Sequence, residues 1–317
     1  LLREQSLLIA SRSGIINASL VQAKAAIGLD VGGTRVKAVV VENEGTVLDQ
    51  VVRGSRDQAG ERWAQTAQDL VQELIEQYGN ELSLGVCAPG LANSEQTCIW
   101  NLPNRMSGIE GLIWQKFFGR REAVPTLNDG QAALLGERWL GAAVGRKNVI
   151  MLTLGTGIGG AAIVDGRLLH GVRGRAGHFG HISIRESAQL DIVGAPGSLE
   201  DAVGNQTLRQ RSGGLFSDTR ELLAACRRRE DHAVQIWEQT LNDLTRGLVS
   251  LVNVLDPELV LLGGGISIAG DALIQGVRQR LDRWEWRPGG MGVEIAFARL
   301  GEWAGAFGAA ACAMQIY

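Results

Sequence analysis

At 317 residues the chain can bury a large core, and its length suggests two domains. Hydrophobic residues at 45% and charged residues at 21% exclude a disordered chain, and no apolar run reaches membrane-spanning length. Lys plus Arg number 31 against 34 Asp plus Glu, so the basic surplus expected of a nucleic-acid-binding chain is missing. The expectation is a cytoplasmic protein with neither nucleic acid nor membrane as partner. Cys87, Cys98, Cys226 and Cys312 are scattered without a CxxC pair, which suits reduced, mostly buried thiols.

In chain order, residues 1–24 read as a loosely structured lead-in, because Arg3, Glu4 and Arg12 interrupt its apolar pieces. Residues 25–30 and 36–41 form a predicted hairpin around Gly32-Gly33-Thr34, and Asn43-Glu44-Gly45 turns the chain into 46–52. The spacing of Trp63, Ala67, Leu70, Val71 and Leu74 predicts a helix over 62–77. Residues 82–87 read as a strand ending at Ala88-Pro89-Gly90. Trp114, Phe117 and Phe118 read as a short helix packed on that sheet. The apolar stretch 123–127 leads into Asn128-Asp129 and a helix over 130–140.

A second unit begins near Gly141, with strand 148–154, glycine loop 155–160, strand 161–164 and a hairpin turn at Asp165-Gly166. A long helix over 232–254 is stopped by Asp256-Pro257. Strand 259–262, the glycine loop Gly263-Gly264-Gly265, helix 270–281, strand 293–297 and an Ala-rich helix over 304–314 close the chain. Strand, glycine loop, strand and hairpin turn thus occur near both 27 and 150. The repetition suggests two related α/β domains that each supply a phosphate-type loop to a shared cleft.

Asp129 is the leading catalytic candidate. A carboxylate there could accept the proton of a hydroxyl as its oxygen attacks a phosphoryl group, although Asn-Asp alone also reads as a helix cap. Glycine loops on both sides in sequence offer close backbone approach and unhindered N–H donors, which tips the balance toward a kinase. A dinucleotide-binding domain is the competitor, since Gly155, Gly157 and Gly160 fit GxGxxG. That fingerprint requires a helix next, whereas 161–166 read as strand and turn. The GxxxxGK[ST] pattern does not occur.

Six segments together carry a resemblance: Asp30-Val-Gly-Gly-Thr34, Asn128-Asp129, Gly155-Thr-Gly-Ile-Gly-Gly160, Ala176-Gly-His-Phe-Gly-His181, Gly197-Ser-Leu-Glu200 and Gly263-Gly-Gly265. In order and spacing they resemble the ROK (repressor, open reading frame, kinase) sugar kinases over roughly residues 25–315. The resemblance implies a two-domain actin-like ATPase (ribonuclease H-like) α/β fold with an interdomain cleft. Its domains would be 25–141, completed by the C-terminal helix 304–317, and 142–303.

The resemblance also implies ATP-dependent phosphorylation of a hexose or N-acylhexosamine, usually at the 6-hydroxyl, by a homodimer. Asp129 becomes the catalytic base, and Asn101, Asn128, His178, His181 and Glu200 frame the sugar with it. Asp30 lies near Mg²⁺, directly or through water. Gly32, Gly33 and Thr34 meet the transferred phosphate, Thr156, Gly157 and Gly159 the nucleotide phosphates, and Gly264 the nucleoside. Ordinary packing competes for the two histidines, a turn cap for Asn101, and a helix N-terminal carboxylate for Glu200. Arg173 and Arg175 read as solvent-facing.

Two departures stand out. The family's zinc pattern CxCGxxGC follows the second histidine, but residues 191–200 contain no cysteine, so no structural zinc is expected. Pro196 and local packing would then hold the loop that presents Glu200. His178 stands where glucokinase-like members carry Glu, which changes donor and acceptor capacity toward the sugar. The altered loop motivates a second reading, a catalytically weak sugar-binding regulator, against which the retained Asp129 counts.

Overall fold

The computed structural model describes residues 25–57 and 60–316, so the lead-in read over 1–24 lies outside the described residues. Strands β1 (Ala25–Val31), β2 (Arg35–Glu42) and β3 (Val47–Gly54) form an antiparallel meander. Helix α1 (Trp63–Tyr78) lays Trp63, Ala67, Leu70, Val71 and Leu74 against it, the face its apolar spacing dictates. Strand β4 (Ser83–Ala88) then pairs parallel to β1, and β5 (Thr126–Asn128) parallel to β4. The sheet order is β3-β2-β1-β4-β5, and α2 (Asp129–Leu140) leaves directly from its last strand.

The second sheet repeats that order. Strands β6 (Val149–Leu154), β7 (Ile158–Val164) and β8 (Arg167–Leu168) are antiparallel. The long helix α3 (Asp231–Leu255) ends where Asp256 turns left-handed, at φ 43°, ahead of Pro257. Strand β9 (Leu259–Gly263) runs parallel to β6. After α4 (Asp271–Trp284), β10 (Glu294–Phe297) runs parallel to β9. The order is β8-β7-β6-β9-β10.

One core lies between the two sheets. Leu127, Leu134 and Leu135 meet Val149, Met151, Ile163 and Leu261 there, together with α5 (Ala304–Met314). The composition of α5 follows from how closely it packs. A Cβ on Gly28 would sit 1.9 Å from the Ala306 carbonyl oxygen, one on Gly85 2.0 Å from that of Ala309, and one on Gly308 1.7 Å from that of Ala132. Backbone therefore meets backbone, which requires Gly and Ala on both sides. The last helix thereby returns to the first sheet and to α2.

Two local expectations change. The second glycine loop spans only 155–157, because Ile158, Gly159 and Gly160 pair with Leu154, Thr153 and Leu152 as the start of β7. Gly160 is required by packing: its Cβ would lie 2.7 Å from both the Gly177 oxygen and the Phe179 ring. Short helices at Asn205–Arg211 and Thr219–Arg227 lie between the second hairpin and the long helix, the second capped by the Asp218 carboxylate. Among the described residues, no helix is long and apolar enough to cross a membrane.

Candidate active site

Strand register assembles one rim of the site. Asp30 pairs with Cys87, Cys87 with Leu127, and Ala88 with Asn128. Asp30, Cys87 and Asn128 therefore stand at the carboxyl ends of three neighbouring parallel strands, where open α/β sheets form their crevices. Asn128 caps α2: its Oδ1 accepts from the Gly130 N–H at 2.9 Å and the Gln131 N–H at 3.4 Å, while Nδ2 donates to the Gly90 carbonyl at 2.9 Å. The same side chain also bonds the neighbouring Asp129 carboxylate, which helps to hold it.

Asp129 follows as the first residue of α2, and its Oδ1 accepts from the Gly130 N–H at 2.8 Å. Solvent reaches this side chain although protein surrounds it. Burial, and then the charge of Asp30, push its carboxyl up to about 6; the Gly130 N–H and the Arg105 guanidinium oppose the shift. Burial raises Asp30 as well, offset by Lys37, whose Nζ lies 3.3 Å from Oδ2. The Cys87 thiol is raised well above its usual range by burial and by both carboxylates, so it stays protonated. Asp129 is thus ionised near neutral pH and more basic than an ordinary carboxylate, which suits proton acceptance.

Backbone groups complete the site at both sheet ends. In the turn after β1, the Gly32 carbonyl accepts from Ser55 Oγ at 2.8 Å, and the Gly33 and Thr34 amides have no protein acceptor among the described residues. In loop 155–157 the Gly155 and Thr156 carbonyls accept from the Asn205 and Gln206 amides, and among the described residues the Thr156 and Gly157 N–H groups have no protein partner. Such amide clusters suit anionic oxygens. Gly264 brings the third loop against the end of β6. Its φ is 86°, and a Cβ there would lie 2.4 Å from the Leu154 oxygen. Gly159 belongs to β7, where its Cβ would meet Thr153 Oγ1 at 2.4 Å; it supports the loop from within the strand. The two sheet ends adjoin at the first turn of α2, where a Cβ on Gly130 would lie 3.1 Å from the Gly160 oxygen.

The remaining candidates fall into three places. Asn101 is exposed on a small ribbon, Leu91–Ala92 with Ile99–Asn101, which Trp100 ties to the 171–175 loop through the Arg173 carbonyl at 3.2 Å. The adjoining segment lines a cavity of about 340 Å³ that includes Arg105, the cation acting on Asp129. Arg173 and Arg175 are exposed. Burial, reinforced by His181, lowers the His178 imidazole to about 4, so it is neutral, and its Nε2 is buried without a partner.

Glu200 is buried in the first turn of the helix Leu199–Val203. Its Oε2 accepts from the Ile158 N–H at 2.8 Å and its Oε1 from Gln206 Nε2 at 2.9 Å. A Cβ on Gly157 would lie 2.2 Å from Oε2. Glu200 therefore braces the 155–157 loop, a structural task its sequence position did not reveal.

The chain's own donors differ from those of the zinc site that the resemblance implies. Asp191, Val193 and Ser198 occupy the three thiol positions of the CxCGxxGC pattern. Asp191 Oδ2 lies 2.9 Å from His181 Nδ1, and Oδ1 accepts from the Val193 and Ala195 amides at 3.0 and 2.8 Å. Burial works against the charged carboxyl, but the bonds from His181 and the two amides outweigh it and lower the pKa. Without thiolates this donor set does not fit a closed zinc site. Pro196 bridges to Leu190 and offers its carbonyl to Ser183 Oγ at 2.6 Å, and Asp191 adds a further tie to the same loop.

The sequence pattern of the ROK family matches residues 26–316. A glucokinase of Streptomyces coelicolor is 30% identical, over 91% of this chain and 97% of that protein. The crystal structure of a ROK hexokinase from Thermus thermophilus superposes with a TM-score of 0.77 at 31% identity, covering 90% of this chain and 96% of that one. A ROK family glucokinase from Streptomyces griseus, in complex with glucose and AMPPNP, superposes at 0.71 with 27% identity, over 92% and 99%. The two five-stranded sheets are thus those of the two-domain actin-like α/β fold.

Proposed function

We propose that this chain, which belongs to the ROK family and is an ATP-dependent carbohydrate kinase, phosphorylates a hydroxyl of a hexose or N-acylhexosamine with Asp129 as general base. The observation that carries the reading is the solvent-reached Asp129 carboxyl, raised to about 6, in a chain whose 33–34 and 156–157 amides have no protein partner among the described residues. The sugar hydroxyl, by resemblance the 6-hydroxyl, would approach the carboxylate and attack the terminal phosphoryl group in line. Its proton passes to Asp129 as the new oxygen–phosphorus bond forms and the bond from the terminal phosphorus to the bridging oxygen breaks, with ADP as the leaving group. The amides of Gly33, Thr34, Thr156 and Gly157 would meet charge gathering on phosphate oxygens, already oriented and without reorganisation.

Asp30 fits a magnesium site, because its buried carboxylate lies close enough to Asp129 for a cation to relieve the repulsion; Mg²⁺ would supply neutralisation of the phosphate oxygens. Asn101, Asn128, His178 and His181 would frame the sugar. Lobes of 25–141 with α5 and of 142–303, a homodimer and a cytoplasmic location complete the reading; the free cysteines agree with the last. The test is turnover of the purified protein with ATP, Mg²⁺ and each of glucose, mannose, N-acetylglucosamine and N-acetylmannosamine. At least one sugar should give stoichiometric sugar phosphate and ADP. ADP release that no sugar stimulates would contradict the proposal.

A further inference from the structure

We propose that Asp191 takes the place of a metal behind His181 and fixes one tautomer of that imidazole, so that Nε2 meets the substrate as a hydrogen-bond acceptor. The geometry of the carboxylate requires this. Oδ1 accepts from two backbone amides, Val193 at 3.0 Å and Ala195 at 2.8 Å, and Oδ2 faces His181 Nδ1 at 2.9 Å. Two acceptors cannot share that contact, so Nδ1 carries the hydrogen. When that imidazole is neutral it has only this one N–H, and Nε2 is left with its lone pair. Nε2 has no protein partner among the described residues, while a quarter of the His181 side chain is exposed.

A metal bound at Nδ1 would do the reverse: it would occupy the lone pair there and leave the hydrogen on Nε2. Replacing a cation by a carboxylate therefore inverts the polarity that His181 shows a ligand. The exposed His181 Nε2 lone pair asks for a donor on the ligand, a hydroxyl or an acetamido N–H. This specificity rests on the sugar-kinase reading above; the tautomer does not.

Long-range ¹H–¹⁵N correlation spectra of the full chain test it, since the sequence holds only four histidines and His181→Gln identifies the signal. At neutral pH His181 should carry its hydrogen on Nδ1. In Asp191→Asn, the amide oxygen can keep the Val193 and Ala195 bonds while Nδ2 donates to Nδ1, which moves the hydrogen to Nε2. The KM of the best sugar should then rise about tenfold or more, with kcat falling by less. A wild-type His181 protonated on Nε2 would overturn the proposal whether or not any sugar is phosphorylated. So would one equivalent of zinc in protein produced with added zinc, or a switched tautomer with an unchanged KM.

Discussion

The two sheets share one strand order, but their carboxyl ends do opposite work. The β1-β4-β5 end displays side chains: Asp30, Cys87, Asn128 and then Asp129, whose carboxyl is raised by burial and by the charge of Asp30. The β6-β9 end displays almost no side chain: Gly155–Gly157 and Gly264 present bare backbone held close by neighbouring carbonyls. One topology used twice separates two requirements. Proton transfer needs a carboxylate made basic by burial, whereas gripping an anion needs amides that nothing else occupies.

The largest expected effect breaks the first end. Asp129→Asn keeps the size of the side chain and removes the base, so kcat should fall by about 10²–10⁴ with sugar affinity largely kept. The same substitution should not destabilise the fold at neutral pH. The Asp129 carboxyl is raised from 3.8 to about 6 in the folded state, so its favourable contribution is complete below about 3.8 and is lost as pH rises through about 6. Thermal melts of the two proteins should therefore diverge with rising pH, the variant melting at the same temperature or higher at pH 7. A clear drop in the variant's Tm there would mean that the carboxylate is structural.

The second end is broken by Gly264→Ala. Its left-handed φ and the Leu154 backbone 2.4 Å from the new Cβ combine strain of about 1–3 kcal/mol with displacement of the loop. The expected result is a several-fold rise in the KM for ATP, a smaller change in that for sugar, and a lower denaturant midpoint. An effect on sugar alone would reverse the assignment of the two ends. The smallest effect is Ser55→Ala, which removes the 2.8 Å bond to the Gly32 carbonyl and costs about 0.5–1.5 kcal/mol of stability. Chemical denaturation measures it, and a loss in ATP turnover larger than the loss in stability would show that the 32–34 turn needs that brace for phosphate.

Much of this architecture was legible locally. The repeated strand, glycine loop and hairpin announced the duplicated sheets, and Asp129 could be placed because a strand ends and a helix begins within two residues. The rest depends on contacts distant in sequence. Nothing near Arg105 signals its action on Asp129. Glycines 159 and 160 looked like loop because their need for close packing against Thr153 and Phe179 has no local signature. The missing cysteines were visible, but the carboxylate that takes over their task was not, since its partners His181 and Ala195 meet it only in the folded loop. Lys37 shows the same limit: alternation points it to one face of β2, and only the return of the chain at Glu302 gives its Nζ a second acceptor at 2.7 Å.

The central claim is that Asp129, held basic by burial and Asp30, takes the proton of the sugar. The pH dependence of kcat/KM for the preferred sugar under saturating ATP tests it most directly, with wild type and Asp129→Asn measured side by side. Wild type should show a plateau above about pH 6 and fall about tenfold per unit below it, while the residual activity of the variant lacks that limb. The same acid limb in both proteins, or near-normal turnover in the variant, would contradict the account.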